Sequence, residues 1–251
     1  MIQKEIIIKG SKVHYKVFGH QGTPFLILHG WGSKSDRWES VSELLAKQGL
    51  QVIVPDMPGF GQSETLKEPW NTDNYVEWVH EFSDNVKALQ DNFYLLGHSF
   101  GGAVSAKFSI KYPQKVKKLF LFAAAFNRTR TTKRQVFSKA SKFAKIFSFL
   151  PFYPLARKAF YKYIIRSSDY LRVDGVMKET FQKVVSEDLS QHLAFIKVPT
   201  TIIWGEKDDV TLVEDAHFAN KKIEDSILVI MKEADHDAER KLPEIFAENV
   251  L

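Results

Sequence analysis

Cysteine is absent from the 251 residues, which excludes disulfides, thiolate-bound metals and a cysteine nucleophile. The same absence fits a reducing compartment, and a cytoplasmic location is expected. Long apolar runs are missing too. The longest mostly apolar stretch, Leu119 to Phe126, falls far short of the about 20 residues that a membrane span takes. The opening Met1-Ile2-Gln3-Lys4-Glu5 lacks a charged segment followed by an apolar one, so no signal peptide is expected. Internal repeats and low-complexity linkers are lacking as well. What is left is a globular composition, 44% hydrophobic and 26% charged. The length suits one large core, or one core carrying an insertion.

The formal net charge of +5 is unevenly spread. Residues 127–174 hold 12 Lys/Arg and 2 Asp/Glu, a net of +10. The remaining residues hold 23 basic and 28 acidic side chains, a net of −5. Asymmetry of this kind marks a separate structural unit and can mark an anionic partner.

Short β-branched or apolar runs predict strands at Glu5–Ile8, Val13–Phe18, Pro24–Leu28, Gln51–Pro55, Phe93–Leu96, Leu119–Ala123, Thr200–Trp204 and Ile227–Met231. The later ones are continuous rather than alternating, as expected when helices cover both faces of a parallel sheet. Helical patterns are predicted near Trp38–Gln48, Tyr75–Ala88, from just after Ser99 to Tyr112, at Leu212–Asn220 and near Leu242–Val250. The alternation implies a doubly wound α/β domain of about eight strands, with the first two strands an antiparallel edge. From Asn127 to Asp188 no strand is evident. Val136, Ala140, Phe143, Phe147 and Leu150 recur at helical steps, with Lys133, Lys139, Lys142 and Lys145 on other faces. The expected organisation is a core of residues 1–126 and 189–251 with a helical cap inserted at 127–188.

Gly97-His98-Ser99-Phe100-Gly101 lies where a strand runs into a helix, the context a G-x-S-x-G nucleophile needs. The serine would stand above the carboxyl edge of the sheet, and the backbone N–H of Phe100 would face a developing oxyanion. A serine hydroxyl attacks only when a base takes its proton, and the base needs a carboxylate to hold its tautomer. In this topology the acid and the histidine each follow a late strand, in that order. Asp208 follows Thr200–Trp204, with Asp209 as a close rival and Glu206 a weaker one. His236 follows Ile227–Met231 in a polar loop. A second oxyanion donor is expected from the loop after the third strand. There His29-Gly30-Trp31-Gly32 would offer the Trp31 N–H, while the Trp31 side chain lines an acyl pocket. His29 is expected to shape its loop by hydrogen bonds, and His98 to serve packing.

These segments, together with Asp56-Met-Pro58-Gly59-Phe60-Gly61-Gln-Ser63 and Gly205-Glu-Lys-Asp208, resemble the α/β-hydrolase superfamily. The resemblance implies Ser99, Asp208 and His236 as a triad, Trp31 and Phe100 as oxyanion donors, and the Asp56–Ser63 run as a structural loop. A serine at the elbow points away from dehalogenases and epoxide hydrolases, which use aspartate there. The surroundings of the histidine, Glu233-Ala-Asp235-His236-Asp237-Ala-Glu239-Arg240, are unusually charged. Carboxylates so close would favour imidazolium, so activity displaced toward alkaline pH is expected.

The basic, aromatic cap and the His-Gly-Trp-Gly loop are similar to those of pimeloyl carrier-protein methyl esterases. That similarity implies an anionic partner, an acidic carrier protein or a membrane surface, at the cap. The expected activity is carboxylester hydrolysis of small or medium acyl substrates without metal or organic cofactor. A carbon–carbon bond hydrolase of ring-cleavage products would use the same residues. No nucleic-acid recognition motif accompanies the basic block, so nucleic acid is not an expected partner.

Overall fold

The computed structural model describes residues 1–126 and 175–250. Most of the expected cap, and with it the basic block and the Val136–Leu150 helical pattern, lies outside the described residues.

Eight strands form one sheet: β1 (Ile2–Ile8), β2 (Ser11–Phe18), β3 (Thr23–Leu28), β4 (Leu50–Pro55), β5 (Phe93–His98), β6 (Val116–Phe122), β7 (Thr200–Gly205) and β8 (Ile227–Met231). Their spatial order is β1-β2-β4-β3-β5-β6-β7-β8. β1 and β2 pair antiparallel, β2 pairs antiparallel with β4, and every later pairing is parallel. Every expected strand is present. β1 is longer than expected because its first residues are exposed on the sheet edge. They are held by main-chain pairing to Tyr15, Lys16 and Val17 rather than by burial.

Among the described residues the helices are α1 (Glu39–Lys47), α2 (Thr72–Asn85), α3 (Phe100–Lys111), α4 (Gly175–Ser186), α5 (Val213–Lys222), α6 (Ala238–Lys241) and α7 (Pro243–Val250). α1 buries Val41 and Leu45 and leaves its charged residues outside, the amphipathic pattern of a covering helix. α2 opens on a capping box. The Asn71 side chain accepts from the Asn74 N–H at 3.0 Å, and Asn74 returns a bond to the Asn71 N–H at 2.8 Å. α3 differs from both. Phe100 through Ala106, with Phe108 and Ser109, lose nearly all contact with water except at Lys107, because α3 lies centrally against β5 and β6.

The parallel order puts the carboxyl ends of β3, β5, β7 and β8 along one edge of the sheet. β3 and β5 are neighbours, so the loop at 29–32 lies directly beside Ser99. β8 is three strands from β5, roughly 14 Å at about 4.8 Å per strand. The loop after β8 must reach back across β7 and β6 to approach the serine.

Candidate active site

Ser99 is the junction of β5 and α3. Its backbone has φ 53° and ψ −114°, a region that costs an L-residue on the order of 1–3 kcal/mol. Neighbouring strands over-determine it. The Ser99 N–H donates to Phe122 O at 3.0 Å, and Ser99 O accepts from Ala125 N at 2.9 Å and Ala103 N at 3.2 Å. The positive φ thus falls on the serine itself, whereas the flanking glycines are needed for close approach. A Cβ on Gly97 would stand 2.3 Å from Gly101 O, and one on Gly101 2.3 Å from Leu28 O. The helix is pulled down onto β3 and β5, leaving Ser99 half-buried above them.

Asp208, 5% exposed, leaves the loop after β7. Its Oδ1 accepts from the N–H groups of Val210 at 2.8 Å and Thr211 at 2.9 Å. Its Oδ2 receives the Thr211 hydroxyl at 3.0 Å and His236 Nδ1 at 2.7 Å. A carboxylate so bonded fixes the His236 proton on Nδ1 and leaves Nε2 to accept. Asp209 and Glu206 are exposed, and Glu206 accepts instead from the Glu233 N–H at 3.3 Å. The structure therefore brings Asp208, not either rival, to His236.

His98, the residue before Ser99, lies between these parts. Its ring stacks on Phe122 at 4.7 Å, and its Nε2–H donates to the His236 carbonyl oxygen at 3.1 Å. Packing is therefore only part of its role. Among the described residues the Ser99 hydroxyl makes no hydrogen bond, so no contact between it and His236 is closed.

The loop after β3 faces the serine from the other side. A Cβ on Gly30 would stand 3.3 Å from Ser99 Cβ and 3.2 Å from His98 Nδ1, which shows how tightly this turn abuts the elbow. Among the described residues neither the Trp31 nor the Phe100 backbone N–H donates a hydrogen bond. The two rings meet at 5.4 Å. His29 shapes the loop by hydrogen bonds, as expected. Its Nδ1–H donates to Gly30 O at 2.8 Å, and its Nε2 accepts the Met57 N–H at 3.0 Å. That pattern requires the neutral ring, and burial pushes its pKa down to about 4. Asp56 is structural too, accepting from the N–H groups of Ser35 at 2.6 Å and Gln62 at 2.8 Å.

The acidic run around His236 is not a field of unbalanced charge. Asp235 pairs with Lys241, Glu233 with Lys207, and Asp237 with Arg37 and Arg240. Glu239, fully buried, also receives the Arg37 guanidinium, and burial raises its pKa against the pull of that cation. Each of these carboxylates is thus engaged by a cation. Arg37 and the His98 bond carry no local sequence signal, because they act across 202 and 138 residues of chain.

Aromatic side chains wall the space beside Trp31. Phe60 meets its ring at 4.9 Å and Phe181, from α4, at 5.1 Å. α4 is seated by Thr180 Oγ1, which accepts the Trp70 N–H at 3.1 Å, and by Lys183 Nζ on Pro69 O at 3.1 Å. Among the described residues no group of three or more histidine or carboxylate side chains could hold a metal ion, and no helix is long and apolar enough to cross a membrane.

A family profile described as alpha/beta hydrolase fold matches residues 23–238. Lipase 1 of Psychrobacter immobilis is 25% identical over 255 residues, covering 94% of this chain and 78% of its own. Monoacylglycerol lipase ABHD6 of Bos taurus is 27% identical over 249 residues, covering 90% of this chain and 73% of its own. A bacterial membrane phospholipase A superposes with a TM-score of 0.78 at 22% identity, over 99% of this chain and 84% of that one.

Proposed function

The chain belongs to the α/β-hydrolase family and is a hydrolase, and from that premise we propose that it cleaves carboxylic esters through an acyl-enzyme on Ser99. The Asp208–His236 bond of 2.7 Å, on the sheet edge that carries the strained Ser99, is the observation that supports this reading most. The lipase names of the relatives point the same way.

In the proposed reaction His236 Nε2 takes the Ser99 proton as Oγ attacks the acyl carbon. Asp208 holds the imidazolium that results. The N–H groups of Trp31 and Phe100 receive the tetrahedral oxyanion. Collapse transfers the proton from His236 to the departing alkoxide, which leaves as the alcohol. Water, deprotonated by His236, then attacks the acyl-enzyme and releases the acid as Ser99 regains its proton. A small or medium acyl chain would lie against Trp31, Phe60 and Phe181.

A panel of p-nitrophenyl esters of increasing acyl length, assayed on the wild type and Ser99→Ala, tests this. Steady multiple turnover by the wild type and its loss in Ser99→Ala are expected. Turnover retained in Ser99→Ala overturns the reading. A ring-cleavage diketone in the same panel separates carbon–carbon from ester hydrolysis.

A further inference from the structure

We propose that His98 is a positioning residue for His236, which uses its Nε2–H to hold the His236 main-chain carbonyl and so ties base and nucleophile to the end of one strand. The inference rests on the reading that Ser99 and His236 carry the reaction.

Three observations carry it. A carbonyl oxygen only accepts, so the 3.1 Å contact requires the hydrogen of a neutral His98 to be on Nε2. The ring is 3% exposed, stacked on Phe122 at 4.7 Å and edge-on to Trp38 at 5.9 Å. It therefore has one orientation and cannot swing away from its acceptor. Its other nitrogen, Nδ1, is buried without a partner and faces Gly30. An apolar side chain of similar volume would fill the position without that unmet acceptor. Packing alone thus gives no reason for a histidine here, whereas the bond to His236 does.

The consequence is geometric. His236 leaves an edge strand three places from β5 and is steered at two points: Asp208 holds Nδ1 of the ring, and His98 holds the backbone beneath it. Because His98 and Ser99 are consecutive, one strand end sets both the hydroxyl and the anchor of the base. A displacement of about 1 Å between reacting groups costs about 100-fold in rate.

The test compares His98→Gln with His98→Met. The two side chains have nearly the same length, and the glutamine amide can donate from near the Nε2 position while the methionine methyl cannot. His98→Gln is expected to retain kcat within about threefold. His98→Met is expected to lose about 10- to 100-fold in kcat with KM within about twofold and the same melting temperature as His98→Gln. Equal kcat in the two variants overturns the proposal. So does a loss in KM rather than kcat. Nitrogen NMR of histidine-labelled wild-type protein gives a reading that needs no variant. A neutral Nε2–H tautomer of His98 at pH 7 is expected, and an Nδ1–H tautomer or a charged ring overturns the proposal. Ser99→Ala separates the premises: if it retains turnover the site assignment fails, whereas a dead Ser99→Ala with equal Gln and Met variants refutes the role of His98 alone.

Discussion

Asp208 Oδ2 accepts the Nδ1–H of His236 at 2.7 Å, while Asp209, the next residue, is exposed to solvent. In the proposed reaction it is the first carboxylate that holds the tautomer and stabilises the imidazolium. Asp208→Asn should therefore lower kcat on the order of 10³- to 10⁴-fold. Asp209→Asn should stay within about twofold of the wild type. Steady-state kinetics on one ester decide it, and equal effects of the two substitutions would remove Asp208 from its role.

His29 makes the fold sensitive to acid. Its Nε2 accepts the Met57 N–H, so protonation replaces an acceptor with a donor facing a donor. Its pKa is depressed from 6.5 to about 4 in the folded protein, so between those values the unfolded chain binds the extra proton. The stability it contributes is whole above pH 6.5 and is lost as pH falls toward 4, by about 3 kcal/mol at most. Denaturant unfolding at pH 7 and pH 4.5 should show a shallower pH dependence for His29→Gln. An unchanged dependence would assign the acid sensitivity to other groups.

Arg37 joins the loop after β3 to Glu239, 202 residues away and fully buried. Arg37→Met leaves that carboxylate unpaired and should destabilise the protein by about 3 kcal/mol. The double variant Arg37→Met/Glu239→Met should recover part of the loss, because no buried charge is left behind. A double variant no more stable than the single one would show that the pair is not the source.

Gly101→Ala tests the contact between helix and sheet. A Cβ there would meet Leu28 O at 2.3 Å and His29 O at 2.6 Å, both main-chain atoms that cannot step aside alone. A loss of about 1–3 kcal/mol is expected. An unchanged thermal midpoint would mean that α3 is held less closely than described.

Phe181 closes the aromatic wall 5.1 Å from Trp31. Phe181→Ala should shift the preference toward longer acyl chains by about tenfold in the ratio of kcat/KM values. The ratio of hexanoate to acetate ester hydrolysis measures it, and a constant ratio would place the acyl chain elsewhere.

Much of this was legible in the sequence for a physical reason. Runs such as Phe93–Leu96 and Thr200–Trp204 are apolar on both faces, and only a sheet covered on both sides accommodates that. That Asp208 and His236 come together was legible because each follows such a run. The first residues of β1 were not, since their exposed side chains carry no burial signal while main-chain pairing to β2 holds them. Arg37 and the His98 bond were hidden for another reason: their partners lie on other strands and loops, at separations no local pattern encodes. The cations that pair with the carboxylates around His236, namely Arg37, Lys207 and Lys241, were not legible either, because they come into place only on folding.

The strand that leads to His236 is the outermost of the sheet. Among the described residues β8 pairs on one side only, with β7, and begins on the exposed Ile227. Strands of this kind open in local fluctuations that leave the rest of a domain intact. Detachment of β8 would withdraw the histidine while the serine stayed strained and ready on β5. Inactivation in mild denaturant should thus run ahead of global unfolding, and the amides of β8 should exchange with solvent before those of β5. Working lifetime would then follow the hold on this last strand rather than the strength of the core.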